Sequence, residues 1–159
     1  AVYQLNRMLE LVMEHGTGRP ARAVLAPGIV VAGKSGTSSD QRDSWFAGFS
    51  GSHLAIVWVG YDDNRPTGFT GSSGALAVWA RLMAGLNTTS RTPALPESLA
   101  ETPVEFMTGL RAAPDCGQDV VTLVVPLGSE PPFKPGCGAD DGASLVQKAG
   151  EWLRDMIRH

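Results

Sequence analysis

Lys34-Ser35-Gly36-Thr37 follows the β-branched run Ile29-Val30-Val31, so one ammonium and two hydroxyls fall within four residues at the end of an apolar segment. Side chains of an extended chain alternate with period 2, which puts Ser35 and Thr37 on one side and Gly36 on the other. Both hydroxyls can then donate to one carboxylate. An ammonium beside a serine hydroxyl lowers the cost of moving the proton off it and holds an anionic substrate end. The missing side chain at Gly36 lets another backbone or helix approach closely. Lysine is scarce, at Lys34, Lys134 and Lys148 alone, and of these Lys34 terminates an apolar strand. The plainer alternative is a lysine that snorkels to solvent from an ordinary turn.

Gly28 to Ser35 also spells the phosphate-loop pattern G-x-x-x-x-G-K-[ST] letter by letter, and Leu54 to Asp62 could pass for the apolar strand ending in a magnesium-binding aspartate. The mechanics count against nucleotide binding. A phosphate loop is a flexible cradle of N–H groups between strand and helix, whereas Ile29-Val30-Val31 is stiff and Gly36-Thr37-Ser38-Ser39 is no helix start with an apolar face.

The elements that must position this motif can be read from periodicity. Tyr3 to His15 sets Leu5, Met8, Leu9 and Val12 on one helical stripe, and Gly16-Thr17-Gly18 ends it. Pro20 to Gly28 is a connector. Ile29 to Lys34 predicts a short buried strand with the lysine at its end, running into a polar turn. Asp43 to Ser50 and Leu54 to Tyr61 predict two more strands around Gly51-Ser52, a good hairpin link, and three strands with tight links imply an antiparallel sheet. Gly74 to Leu86, with Leu76, Val78, Trp79, Leu82 and Met83, predicts a helix packed on that sheet. From Thr88 to Pro103 the chain is rich in Thr, Ser and Pro, which reads as a linker. Val104 to Leu110 and Val120 to Val125 can make short strands, and Ser144 to Arg158 reads as a final amphipathic helix.

Other residues are given structural roles. Trp45, Phe46, Phe49 and Trp58 read as core, with a substrate platform as the alternative. Asp62-Asp63-Asn64 reads as a solvated turn and not a metal site. Arg42 and Asp43 read as an ion pair shaping the loop after the motif. His15 and His53 have no nucleophile partner in view and receive no catalytic role.

The chain has 159 residues, 43% of them hydrophobic and 18% charged, with a net charge of −3. This suits one globular core with a small appendage. Basic residues are scattered, so neither nucleic acid nor an anionic membrane surface is indicated as a partner. No uncharged apolar stretch approaches the ~20 residues of a membrane span, and the first residues do not form a signal sequence. Cys116 and Cys137 stand in Gly/Pro-rich surroundings. A disulfide between them could contribute on the order of 3 kcal/mol in an oxidising compartment, and two unpaired thiols are the alternative. Two cysteines without a nearby histidine are too few for a metal site.

Beyond the motif, Asp43-Ser44-Trp45-Phe46-Ala47-Gly48-Phe49, Ile56-Val57-Trp58-Val59-Gly60-Tyr61-Asp62-Asp63-Asn64 and Thr70-Gly71-Ser72-Ser73-Gly74-Ala75-Leu76 resemble, in this order and spacing, the tail of class A bifunctional penicillin-binding proteins. The resemblance covers roughly residues 3 to 86, including Gly16-Thr17-Gly18. The closing Glu151-Trp152-Leu153-Arg154-Asp155-Met156-Ile157 and the two cysteines look like the 1B type. Such enzymes join a nucleophile S-x-x-K, an S-x-N and a strand-borne K-[TS]-G. Only the third is in this chain, since no serine has lysine three residues later or asparagine two residues later.

The resemblance implies an α/β (α+β) fold of the penicillin-recognising, β-lactamase-like kind. Its C-terminal part is expected here as a helix, three antiparallel strands and a helix in residues 1–87, a linker in 88–103 and a tail in 104–159. It implies a serine D,D-transpeptidase that crosslinks peptidoglycan, with Lys34 and Thr37 in catalysis and Ser35, Gly36 and Thr37 in substrate binding. The main-chain N–H at Thr37 would complete the oxyanion hole with that of the absent serine. Stem peptides ending in D-Ala-D-Ala and β-lactams are the implied partners, with no cofactor and no metal. The implied location is the periplasmic side of the bacterial inner membrane, reached through an upstream anchor that accompanies a glycosyltransferase domain. Ser35 replaces the commoner threonine and keeps the hydroxyl, so altered affinity is expected more than lost function. The chain alone should be inactive. A class A β-lactamase-like hydrolase is the nearest alternative, and a protein-docking appendage of a cell-wall synthase, formed by residues 88–159 and binding its regulators, is an alternative of another class.

Overall fold

The computed structural model describes residues 1–112 and 119–134. Cys116, Cys137 and the helix expected over Ser144 to Arg158 lie outside the described residues. The chain divides into two units, Ala1–Ala94 and Leu95–His159.

In the first unit, helix α1 (Val2–Glu14) leads through a 3-10 turn (Arg19–Ala23) into a three-stranded antiparallel sheet of β1 (Ala32–Thr37), β2 (Ser44–Phe49) and β3 (Leu54–Val59), in that spatial order, before helix α2 (Ala75–Gly85). The helix, three strands and helix agree with the expected sequence of elements. The two-stranded second unit, with β4 (Leu99–Glu105) antiparallel to β5 (Val120–Pro126), completes an α+β architecture.

Three local expectations are corrected. The first strand begins at Ala32 and not at Ile29, and Lys34 is interior to it, paired with Ala47. Ile29 and Val31 are apolar because they enter the core. Val30, between them, is tied to the main body through its N–H to Ser90 Oγ and its carbonyl from the Arg91 N–H, at 3.0 and 3.1 Å. In α1 the buried residues are Glu10 and Met13, while Leu5 and Met8 of the expected stripe are exposed. Glu10 sits beside Arg7 and Arg91, at 3.2 and 3.8 Å, so its charge is met where it is buried. Trp45 and Trp58 are not core. Alternation along β2 and β3 puts them on the exposed side with Ile56, while Phe46 points inward.

The core holds Met13, Leu25, Val31, Phe46, Leu76 and Trp79, with α1 packed on β1 and α2 on β2 and β3. Phe46 and Trp79 meet at 5.0 Å between ring centroids, tilted by 55°. Gly48 makes room for them, since a Cβ there would lie 2.6 Å from Trp79.

The hairpin between β2 and β3 is pinned from outside the sheet. Gly51 N–H donates to the Thr89 carbonyl, and Thr89 N–H to Ser52 Oγ, at 2.8 and 3.0 Å. Residues 88–91 are thereby bound to the first unit, although their composition is that of a linker. In the second unit, β4 starts at Leu99 and includes Pro103, which pairs with Thr122. Proline costs no hydrogen bond to β5 here, because the Pro103 carbonyl accepts the Ala112 N–H at 2.9 Å, so its nitrogen faces residues 110–112 and not β5. The strand expected through Leu110 stops at Glu105, where Gly109 turns the chain at φ 68°.

Candidate active site

The motif Lys34-Ser35-Gly36-Thr37 lies wholly within β1, an edge strand that pairs only with β2 among the described residues. Its register is Lys34 with Ala47, Ser35 with Phe46, Gly36 with Trp45 and Thr37 with Ser44. Phe46 and Ser44 are buried on the helix side, so Ser35 and Thr37 share that face of the edge strand, as the strand period predicts. This geometry also removes the phosphate-loop reading. Gly33, Lys34 and Ser35 belong to a strand ladder, not to a loop of N–H groups ahead of a helix.

Each hydroxyl has an internal partner. Thr37 Oγ1 accepts the Gly71 N–H at 2.9 Å. Ser35 Oγ and Thr17 Oγ1 are 2.8 Å apart. Lys34 is exposed and curls along its own strand, donating from Nζ to the Ser35 carbonyl at 2.8 Å. It lies on the opposite side of the strand from Ser35 and Thr37, and no acidic partner meets it among the described residues.

At Gly36 the close approach takes another form than the sequence suggested. A Cβ there would meet the Cβ of its cross-strand neighbour Trp45 at 3.3 Å, a contact that a shift of a few tenths of an ångström would relieve. The tight fit belongs to Gly71, where a Cβ would stand 2.6 Å from the Gly36 carbonyl oxygen and 2.8 Å from its nitrogen. Gly71 and Thr17 are the two site residues without a role in the sequence reading, although both stand in segments singled out there. Their partners are 34 and 18 residues away in the chain, so no local pattern signals the contact.

The loop after the motif is shaped by Arg42, which donates to the Asn64 carbonyl at 2.7 Å and reaches Asp40 at 3.4 Å. The expected ion pair thus involves Asp40. Asp43 instead accepts the Trp58 indole N–H at 2.9 Å. His53 is 2.9 Å from Ser52 Oγ in the hairpin, and His15 stands at the end of α1. Beside Thr17, a shallow depression of about 530 Å³ runs past His15, Arg19 and Ser72.

An edge strand with two hydroxyls on one side and an exposed lysine on the other can hold a carboxylate and an extended peptide. The chain is a partial homologue of the class A penicillin-binding proteins 1A and 1B. It is 38% identical over 106 residues to penicillin-binding protein 1B of Escherichia coli (strain K12), covering 67% of this chain and 12% of that protein. Against penicillin-binding protein 1B of Vibrio cholerae the identity is 46% over 71 residues, or 45% of this chain and 9% of the relative. Against penicillin-binding protein 1A of Pseudomonas aeruginosa it is 35% over 116 residues, or 70% and 14%. The chain therefore spans about a tenth of the length of these curated relatives. No family model matches it. The crystal structure of penicillin-binding protein 1A from Haemophilus influenzae superposes with a TM-score of 0.65 at 22% identity, covering 83% of this chain and 21% of that one, which is a likeness of fold. No helix among the described residues is long and apolar enough to cross a membrane.

Proposed function

We propose that residues 1–87 are the C-terminal part of the transpeptidase domain of a bifunctional, 1B-type penicillin-binding protein, followed by a connector (88–103) and a tail (104–159). The observation that carries this is the placement of Ser35 and Thr37 on one face of an edge strand, with the exposed Lys34, on the other face, between them and the strand's start. The exposed apolar side chains Leu54, Ile56, Trp45 and Trp58 support it, because they form a sheet surface that the rest of a larger domain would cover.

In this reading a serine outside the chain attacks the carbonyl of the D-Ala-D-Ala bond of a peptidoglycan stem peptide. The donor peptide lies along β1 as an added strand. Ser35 and Thr37 hold its terminal carboxylate, and Lys34 positions and polarises. The tetrahedral oxyanion is met by the Thr37 N–H together with the N–H of the serine. The C–N bond breaks, the terminal D-Ala leaves as the protonated amine, and an acyl-enzyme remains. An amine of a neighbouring stem peptide then attacks the ester and restores the serine. A β-lactam enters by the same route, its ring C–N bond opening on the serine. The site belongs on the periplasmic side of the inner membrane, where such peptides are found.

Intact mass before and after incubation with a fluorescent penicillin tests the proposal. The longer protein should gain one stable covalent adduct, and residues 1–159 alone should gain none. Rapid loss of the adduct with release of hydrolysed penicillin would favour the β-lactamase-like alternative. No adduct on the longer protein would overturn both.

A further inference from the structure

The contact between Thr17 and Ser35 sets up an asymmetry between the two hydroxyls of β1. Thr37 Oγ1 accepts from the Gly71 N–H, which can only donate, so the Thr37 hydrogen is left to point elsewhere. Ser35 Oγ faces another hydroxyl, and at 2.8 Å either oxygen can be the donor. A carboxylate arriving at the edge of β1 removes that choice. Being acceptor-only, it takes the Ser35 hydrogen, and Thr17 must then donate to Ser35. The chain Thr17 O–H to Ser35 O–H to carboxylate is polarised along its length, and hydrogen bonds to a charged group are the strong ones.

Thr17 is held firmly enough to act this way. Its turn is closed by Gly16 N–H and Gly18 N–H, both donating to the Val12 carbonyl, at 3.1 and 3.0 Å, and by Arg19 N–H to the Gly16 carbonyl at 3.1 Å. Gly18 is buried directly against the Met13 sulfur, and Met13 itself is fully buried. Thr17 remains exposed beside the open depression, so a ligand on the edge strand is not shut off from the pair.

We propose that Thr17 is a positioning residue for substrate recognition: it orients the Ser35 hydroxyl so that Ser35 and Thr37 both donate to the terminal carboxylate of a peptide or β-lactam. This rests on the transpeptidase reading above. Its ligand class is any acyl donor whose free carboxylate lies beside the scissile amide.

The test uses the longer protein and measures second-order acylation rates with a penicillin and with its methyl ester, in which the carboxylate is masked. Thr17→Val keeps the shape and removes the hydroxyl. It should slow acylation by the free acid about five- to tenfold, the loss expected for one hydrogen bond in a charge-assisted chain, and leave the ester rate within twofold. Thr17→Ser should restore the acid rate. In a Ser35→Ala background Thr17→Val should add no further loss, since the two act through one contact. An unchanged acid rate in Thr17→Val, or an equal loss on acid and ester, overturns the role of Thr17 while the transpeptidase reading stands. An unmodified protein that no penicillin labels overturns the reading itself, and this inference with it.

Discussion

Gly71 donates its backbone N–H to the Thr37 hydroxyl at 2.9 Å. The contact ties the segment ahead of α2 to the motif strand, and it is possible only because residue 71 has no side chain. A Cβ there would lie 2.6 Å from the Gly36 carbonyl oxygen, 2.7 Å from that of Trp45 and 2.8 Å from the Gly36 nitrogen. All three are main-chain atoms, so relief requires the strand or the segment to move. Gly71→Ala should therefore destabilise the protein by about 1–3 kcal/mol, the usual cost of overpacking. Denaturant unfolding reads the change in midpoint at constant slope, and an unchanged midpoint would mean that the segment gives way freely.

A second long-range tie fixes where α2 starts. Ser44, fully buried in β2, accepts the Ala75 N–H and donates to the Thr70 carbonyl, both at 2.8 Å. One strand hydroxyl thus replaces the side-chain cap that Gly74 cannot provide at this helix N-terminus. Ser44→Ala strands the buried Ala75 N–H, at a cost of about 1–3 kcal/mol, while the Thr70 carbonyl keeps the Gly74 N–H at 2.9 Å. Amide exchange at Ala75 should accelerate more than exchange at the middle of α2. Uniform acceleration along the helix would indicate a packing loss and not a lost cap.

The order of elements in the first unit was legible in the sequence because each carries its own period and its own stop. Gly16 to Gly18 ends α1, and β2 and β3 alternate cleanly around a short loop. What failed depended on partners far away in the chain. Leu5 and Met8 make a helical stripe, yet the described sheet takes Met13 instead, and the buried Glu10 is met by Arg91 from the far end of the unit as well as by Arg7 of its own helix. Ile29 and Val31 are β-formers that fill the core without a ladder, which shifted β1 by three residues. Hydrophobic character predicted burial for Trp45 and Trp58, but the strand period decides the face, and among the described residues helices cover only one face of this sheet. At the candidate site, the shared face of Ser35 and Thr37 was legible from the strand period. Thr17 and Gly71 were not, because their contacts to Ser35 and Thr37 exist only after the turn and the loop have folded onto β1.

The second unit has a pH-sensitive closure of its own. Glu105, at the end of β4, accepts from Lys134 Nζ at 2.8 Å and from Thr108 Oγ1 at 2.6 Å. Those hydrogen bonds, Lys134 first, hold its carboxyl below the usual 4.5. A carboxylate whose folded pKa is depressed stabilises the fold fully above the unfolded value and loses that contribution as pH falls through the folded one. Protection of the β4–β5 amides from hydrogen exchange should therefore decline, beyond any global trend, as pH falls below about 4.5. Glu105→Gln should lower protection at pH 7 and match the unmodified protein at the acid end. Glu130 is also held low, chiefly by its own N–H and that of Gly128, and it is retained in the variant, so the difference between the two proteins isolates Glu105. Parallel pH curves for the two would show that the Lys134 and Thr108 contacts do not stabilise the sheet.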